Sequence, residues 1–157
     1  MTVHVLFVCA GNICRSPMAE AVFQQLVNEQ GLARHFALDS AGTGGWHVGQ
    51  QADSRTLTVL RNHSIAYHGR ARQVTRQDLE TFDYVLAMDR DNLSDLQRLG
   101  GRRRSVELFL AAAQRSGVLK QAEVPDPYYD GTFERVYDLC LRGGAALLAE
   151  IREDQGF

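Results

Sequence analysis

Residues 5–17 read Val-Leu-Phe-Val-Cys-Ala-Gly-Asn-Ile-Cys-Arg-Ser-Pro. The apolar run from Val3 to Cys9 is rich in β-branched residues and reads as a buried parallel strand. A short polar loop follows, closed by Arg15 and Ser16, with Pro17 where a helix would begin. Five residues separate Cys9 from Arg15, a spacing that lets one loop curl around a tetrahedral oxyanion. The sulfur would lie below the anion, the guanidinium beside it, and the helix N-terminus would face the same point.

The alternation of strand and helix continues along the chain. Residues 17–30 carry apolar side chains at Met18, Ala21, Val22 and Leu26, close to helical spacing, and Gly31 ends the pattern. Residues 36–40 form a second, weaker strand, and 41–51, with four glycines, a loop. Residues 53–62 read as a helix. Thr75 begins an acidic variant of the capping box on a short helix. Residues 82–88 form a central strand, 91–99 a helix and 105–109 a fourth strand. Residues 114–131 are expected to be irregular. Residues 132–153 form a long last helix, weakened by Gly143 and Gly144. This order predicts a three-layer α/β/α fold around a mostly parallel sheet. Ligands bind such sheets beyond the carboxyl ends of the strands, where Cys9 stands.

The 157 residues suit one domain, spanning 1–157, with a real core. A formal net charge of −2 offers no basic field for nucleic acid or a membrane surface, so an anionic ligand needs a local site. No cationic N-terminal region with a long apolar stretch is present, and no apolar run reaches the length of a membrane span. Three cysteines are an odd count, and Cys9 and Cys14 lie too close for a stapling framework. A reducing, cytoplasmic setting is expected.

Each residue type in the loop has a chemical reason. Cysteine attacks as a thiolate, yet a free thiol is only about 3% ionised at pH 7. Open backbone N–H groups, a helix N-terminus and Arg15 all favour the anion. Gly11 lets the backbone approach a ligand closely, and Asn12 tolerates a left-handed conformation while its amide braces the loop. Arg15 offers a bidentate fork to two phosphate oxygens. Ser16 can donate to the Cys9 sulfur. The plainer alternative is a structural cysteine at a strand end with a nearby surface arginine. No Gly-Lys-Ser or Gly-x-Gly-x-x-Gly follows the strand, which excludes the common nucleotide loops.

A cysteinyl-phosphate route also needs an acid for the leaving oxygen. The candidate is Asp126 in Pro125-Asp126-Pro127-Tyr128-Tyr129. Pro127 holds Asp126 extended, and the tyrosines supply apolar walls. Partial burial and a bound phosphate are expected to raise its pKa.

The two segments together resemble the low-molecular-weight protein tyrosine phosphatases, which pair an N-terminal Cys-x5-Arg-Ser-Pro loop with a C-terminal Asp-Pro-Tyr. Asp39-Ser40-Ala41-Gly42, Trp46, Ala71-Arg72-Gln73 and Met88-Asp89 fall where that family has similar segments. The resemblance implies a flavodoxin-like, four-stranded parallel sheet, no metal and no cofactor. It implies Cys9 as nucleophile, Arg15 as phosphate clamp and Asp126 as general acid then base. Gly11, Asn12, Cys14 and Ser16 would form the phosphate loop, with Ser40 behind it. Ala10, Ile13, Trp46, Tyr128 and Tyr129 would shape a cleft for a flat aromatic ligand. Related arginine phosphatases typically carry Thr at the place of Ile13, so Ile13 favours phosphotyrosine. The implied partners are phosphotyrosine proteins, a tyrosine kinase among them, and the implied assembly is a monomer or weak dimer. A reversible Cys9–Cys14 disulfide would protect the nucleophile from over-oxidation. The other readings are an arsenate reductase of the same fold, which needs a distal pair of resolving cysteines that only Cys140 could join, and a noncatalytic phosphate-binding module.

The chain departs from the family at Gly69, where a buried histidine often supports the loop through Ser40. His68 is the candidate replacement. Arg102-Arg103-Arg104 is expected to be a solvated surface run.

Overall fold

β1 (Val3–Cys9) carries apolar side chains on both faces, and the layers follow from that. The computed structural model describes residues 1–100 and 106–157. Beside β1 lie β2 (Phe36–Gly42) and β3 (Tyr84–Ala87), and β4 (Val106–Leu108) pairs with β3. All the pairings are parallel, in the order β2-β1-β3-β4. The helices are α1 (Arg15–Glu29), α2 (Ser54–Asn62), α3 (Arg76–Thr81), α4 (Arg90–Leu99), α5 (Ala111–Arg115) and α6 (Phe133–Gln155).

Val5, Phe7 and Cys9 of β1 pack with Met18 and Phe23 of α1 and Leu147 and Ile151 of α6. Leu6 and Val8 turn the other way, toward Leu79 of α3 and Leu96 of α4. The chain leaves β1 for β2 on one side and later returns to β3 on the other. Parallel crossovers of one hand then require helices on opposite faces, and the expected three-layer sheet results. The reversal point lies at the carboxyl end of β1, at Cys9.

The boundaries differ from the sequence pattern in instructive ways. α1 begins at Arg15, so Pro17 is its third residue rather than its first. Proline is tolerated there because first-turn N–H groups have no intrahelical acceptor. β2 runs on to Gly42 because Cys9 still pairs with it. α5 and a 3₁₀ turn at Ala33–His35 are short elements that periodicity missed. α6 is continuous through Gly143 and Gly144. A Cβ at Gly143 would collide with Leu110, so its absence lets the helix close on the core and offsets the propensity cost. The Arg102–Arg104 run lies outside the described residues.

Behind β2, the segment before α3 is tied down by charge. The Arg72 guanidinium bonds Asp39 at 2.9 Å and Asp78 at 2.9 Å. Asp78 also completes a reciprocal capping box with Thr75. Burial opposes the Asp78 charge, but the bonds from Arg72 and Thr75 prevail and hold its carboxyl below the ordinary value. That stability is present above the unfolded carboxylate pKa and is lost as pH falls through the folded one. Asp78→Ala should therefore cost about 2 kcal/mol at pH 7, and the difference from the parent should shrink as pH falls below the ordinary carboxylate range in denaturant titrations.

Candidate active site

The loop from Cys9 to Arg15 is held from outside by its carbonyl oxygens. The Cys9 carbonyl accepts from Thr43 N at 2.9 Å, and that of Ala10 from Gly44 N at 3.0 Å. The Ile13 carbonyl accepts from Asp53 N at 2.8 Å, and that of Cys14 from Met18 N at 3.3 Å. In a trans peptide the next N–H points opposite to the carbonyl. The amides of Ala10, Gly11, Cys14 and Arg15 are thereby turned away from those partners, toward the hollow of the loop. Cys14 caps α1 without a side-chain bond, leaving the first turn of the helix open to the same hollow.

Asn12 fixes the curl. It has φ 59°, the left-handed region, and is almost fully buried. Its backbone N–H donates to Cys9 Sγ at 3.3 Å. Its side-chain Oδ1 accepts from Arg72 N at 2.9 Å, which orients the amide. The two Nδ2 hydrogens go to Ser16 Oγ at 2.8 Å and Ser40 Oγ at 2.9 Å. Ser16 Oγ lies 3.0 Å from Cys9 Sγ. With its oxygen already accepting from Asn12, the Ser16 hydroxyl is free to donate to the sulfur.

Arg15 is nearly inaccessible, its side chain 4% exposed. Nη1 donates to Asp89 Oδ2 at 2.6 Å and to the Val124 carbonyl at 3.0 Å. Burial alone would lower its pKa, but the charge of Cys9 and the bonded Asp89 outweigh that and raise it. The guanidinium is therefore a permanent charge, pinned on one edge.

A cavity of about 330 Å³ opens over this loop. Cys9, Ala10, Gly11, Ile13, Cys14 and Arg15 form its floor, and Trp46, His47, Asp126, Tyr128 and Tyr129 its walls. Trp46 is 71% exposed and Tyr129 92%, while the two tyrosine rings meet edge to face at 5.0 Å. Asn12, Ser16 and Ser40 do not line the cavity; all three are buried behind it. Asp126 accepts from Tyr128 N at 3.1 Å, a local turn that sets its direction. The partial burial expected for it is not found: Asp126 is exposed.

A family model described as low molecular weight phosphotyrosine protein phosphatase matches residues 4–156. The chain belongs to this family. The low molecular weight protein-tyrosine-phosphatase YfkJ of Bacillus subtilis is 44% identical over 156 residues, 98% of each chain. The low molecular weight phosphotyrosine protein phosphatase of Sus scrofa is 43% identical over 154 residues, covering 97% of this chain and 98% of that one. The crystal structure of YfkJ superposes with a TM-score of 0.93 at 43% identity, covering 98% of this chain and 97% of that one.

As a low molecular weight phosphatase, the chain holds several site residues that sequence reading passed over. Asp89 stood out only as part of the Met88-Asp89 segment, and His47 only as the neighbour of Trp46. Arg55 on α2 bonds the Tyr128 carbonyl at 3.0 Å and lies over the Tyr128 and Phe133 rings, so it props the acid loop. His68 does not brace the loop; it is exposed. Behind Ser40 stand Glu20 and Tyr67 instead.

The cysteines differ sharply. Burial, then the charges of Asp53, Cys9 and Asp126, push the Cys14 thiol up to about 12. Complete burial pushes the Cys140 thiol up as well. Iodoacetate at pH 7 should therefore alkylate one cysteine, Cys9, and inorganic phosphate should protect it, as peptide mass mapping would show. Labelling of Cys14 at a comparable rate would contradict this environment.

Proposed function

We propose that this chain is a protein tyrosine phosphatase that hydrolyses phosphotyrosine and other aryl phosphates through a cysteinyl-phosphate intermediate. One observation carries the reading: a thiol on the floor of an amide-lined loop faces a carboxylate and aromatic side chains in the walls. The phosphoryl group fits the loop, with its oxygens on inward amides and the Arg15 fork. The Cys9 thiolate attacks phosphorus as the bond to the phenolic oxygen breaks, and Asp126 gives its proton to that oxygen. Asp126 then takes a proton from water, which attacks phosphorus and releases the thiolate. Ser16 stabilises the sulfur as nucleophile and as leaving group.

Trp46, Tyr128 and Tyr129 supply flat faces for an aryl group, and Ile13 gives the cleft an apolar base. These features support phosphotyrosine proteins as substrates, a tyrosine kinase among them. Thioredoxin-coupled arsenate reduction is disfavoured, because Cys140 is fully buried in α6 and offers no exposed resolving thiol. A thiolate nucleophile goes with a reducing compartment, and the reading places the protein in the cytoplasm. That Cys14 shares the cavity floor with Cys9 supports a role in capturing an oxidised Cys9 as a disulfide.

Cys9→Ser should abolish hydrolysis of para-nitrophenyl phosphate while keeping competitive phosphate binding measurable by calorimetry. Undiminished turnover would sink the covalent route. Asp126→Asn should lower kcat by about 10²–10⁴ on phenyl phosphate and much less on esters with acidic phenols. Equal losses across leaving groups would remove Asp126 as the acid.

A further inference from the structure

A second cavity, of about 350 Å³, is lined by α2, the segment that follows it and the residues just before it. It is close in size to the cavity of about 330 Å³ over the Cys9 loop. Leu57, Ile65 and Tyr67 give it apolar surface, while Arg61, His68 and Arg70 bring hydrogen-bond donors. Among the described residues no carboxylate lines it, although the chain has 19 acidic side chains.

The two arginines are not spent on other charges. Arg61 bonds the Thr58 hydroxyl at 3.3 Å and Arg70 the Gly49 carbonyl at 3.2 Å, both neutral acceptors. Among the described residues neither meets a carboxylate, unlike Arg15, Arg55, Arg72 and Arg115. Each guanidinium keeps a permanent charge and N–H groups to spare, in a planar fork that matches phosphate oxygens. A lone surface arginine is answered by water. Here two line one concavity with an apolar floor, so an anion inside is drawn by both charges and is partly shielded from solvent.

We propose that this cavity is a second, noncatalytic anion site that takes an aryl phosphate. The negative head is held by Arg61 and Arg70, with His68 as a further donor, and the ring lies on Leu57, Ile65 and Tyr67. The ligand is held and not cleaved. None of the three cysteines lines the cavity, and the Tyr67 hydroxyl is committed to Glu20 at 2.8 Å.

One stretch of chain serves both cavities. Trp46 and His47 wall the first, and Gln51 and Ala52 line the second. Backbone bonds tie this stretch to the segment of Arg70: Gly49 N donates to the Ala71 carbonyl at 2.8 Å, and Ala71 N to that of Gln50 at 2.9 Å. Aryl phosphate is thus recognised at two ends of one loop, once for hydrolysis and once for retention. The second site goes beyond the phosphatase reading and does not depend on it.

Phenylphosphonate tests the site, because its carbon–phosphorus bond resists hydrolysis. Backbone amide shifts of the isotopically labelled protein are followed through a titration. The amides of Gln51, Ile65 and Arg70 should move as one saturable set, separate from those of Gly11, Cys14 and Arg15. Arg61→Gln/Arg70→Gln should weaken the first set about tenfold or more and leave the second within about twofold. Inorganic phosphate should move the first set only at about tenfold higher concentration, since it brings no ring to the apolar floor. The same variant should keep kcat and KM on para-nitrophenyl phosphate within about twofold of the parent. No saturable shift within residues 51–70 overturns the proposal. So does an unchanged affinity in the double variant, or an equal affinity for inorganic phosphate. Silent loop amides beside a titrating second set would support this site while removing the catalytic reading, so the two are judged apart.

Discussion

The left-handed turn at Asn12 is the constraint on which the rest of the site depends. A non-glycine residue in that region costs about 1–2 kcal/mol. The side chain more than offsets the cost through its bonds to Arg72, Ser16 and Ser40, all made away from water. Without the turn the carbonyls of the loop could not all face outward, and the amides would not converge. The turn also brings the Asn12 N–H to the Cys9 sulfur. One residue therefore sets the shape of the anion site and contributes to the electrostatics at the nucleophile.

The chain carries a net negative charge, yet the site must accept a doubly charged anion beside a thiolate. It does so locally. Arg15 is buried and paired with Asp89, so part of its charge is already answered. The remaining attraction comes from fixed dipoles, the loop amides and the open end of α1, which need no reorganisation when the anion arrives. The other cations near the loop are committed elsewhere: Arg72 to Asp39 and Asp78, Arg55 to Asp53. The same surroundings keep Cys14 protonated. It lies in the same cavity floor as Cys9.

Most of the fold and the centre of the site were legible in the sequence, because local signals and burial agreed there. The β1 run, the Cys9–Arg15 spacing, the proline after Asp126 and the Thr75 cap each act within a few residues. The structure bears out the sheet and the layers, and Cys9, Arg15, Asp126 and the aromatic residues line one cavity. What stayed hidden was long-range and polar. Nothing local marked Glu20 as a partner of Ser40, or Asp89 as a partner of Arg15. Tyr67 carried no periodic signal, and it reaches Glu20 through the room that Gly69 leaves. His68 was the natural substitute for a missing histidine by type, but the backbone turns it to solvent. Asp126 was expected to be partly buried because a general acid needs a raised pKa, yet it is exposed. The tyrosines instead extend outward with it.

Val124 is held through both of its backbone polar groups. Its N–H bonds Met88 O at 2.8 Å, and its carbonyl accepts from Arg15. Asp126 lies two residues further on. The arginine proposed to grip the phosphate therefore also sets the distance between Cys9 and the loop that carries Asp126. It joins segments separated by more than a hundred positions in the chain. During synthesis, Cys9 and its loop leave the ribosome long before Val124 exists. The guanidinium has nothing to measure against until the segment before α6 has been made. The chemistry is thus withheld from the nascent chain by its own order of elements, and the hydrolytic site closes only when the fold is nearly complete.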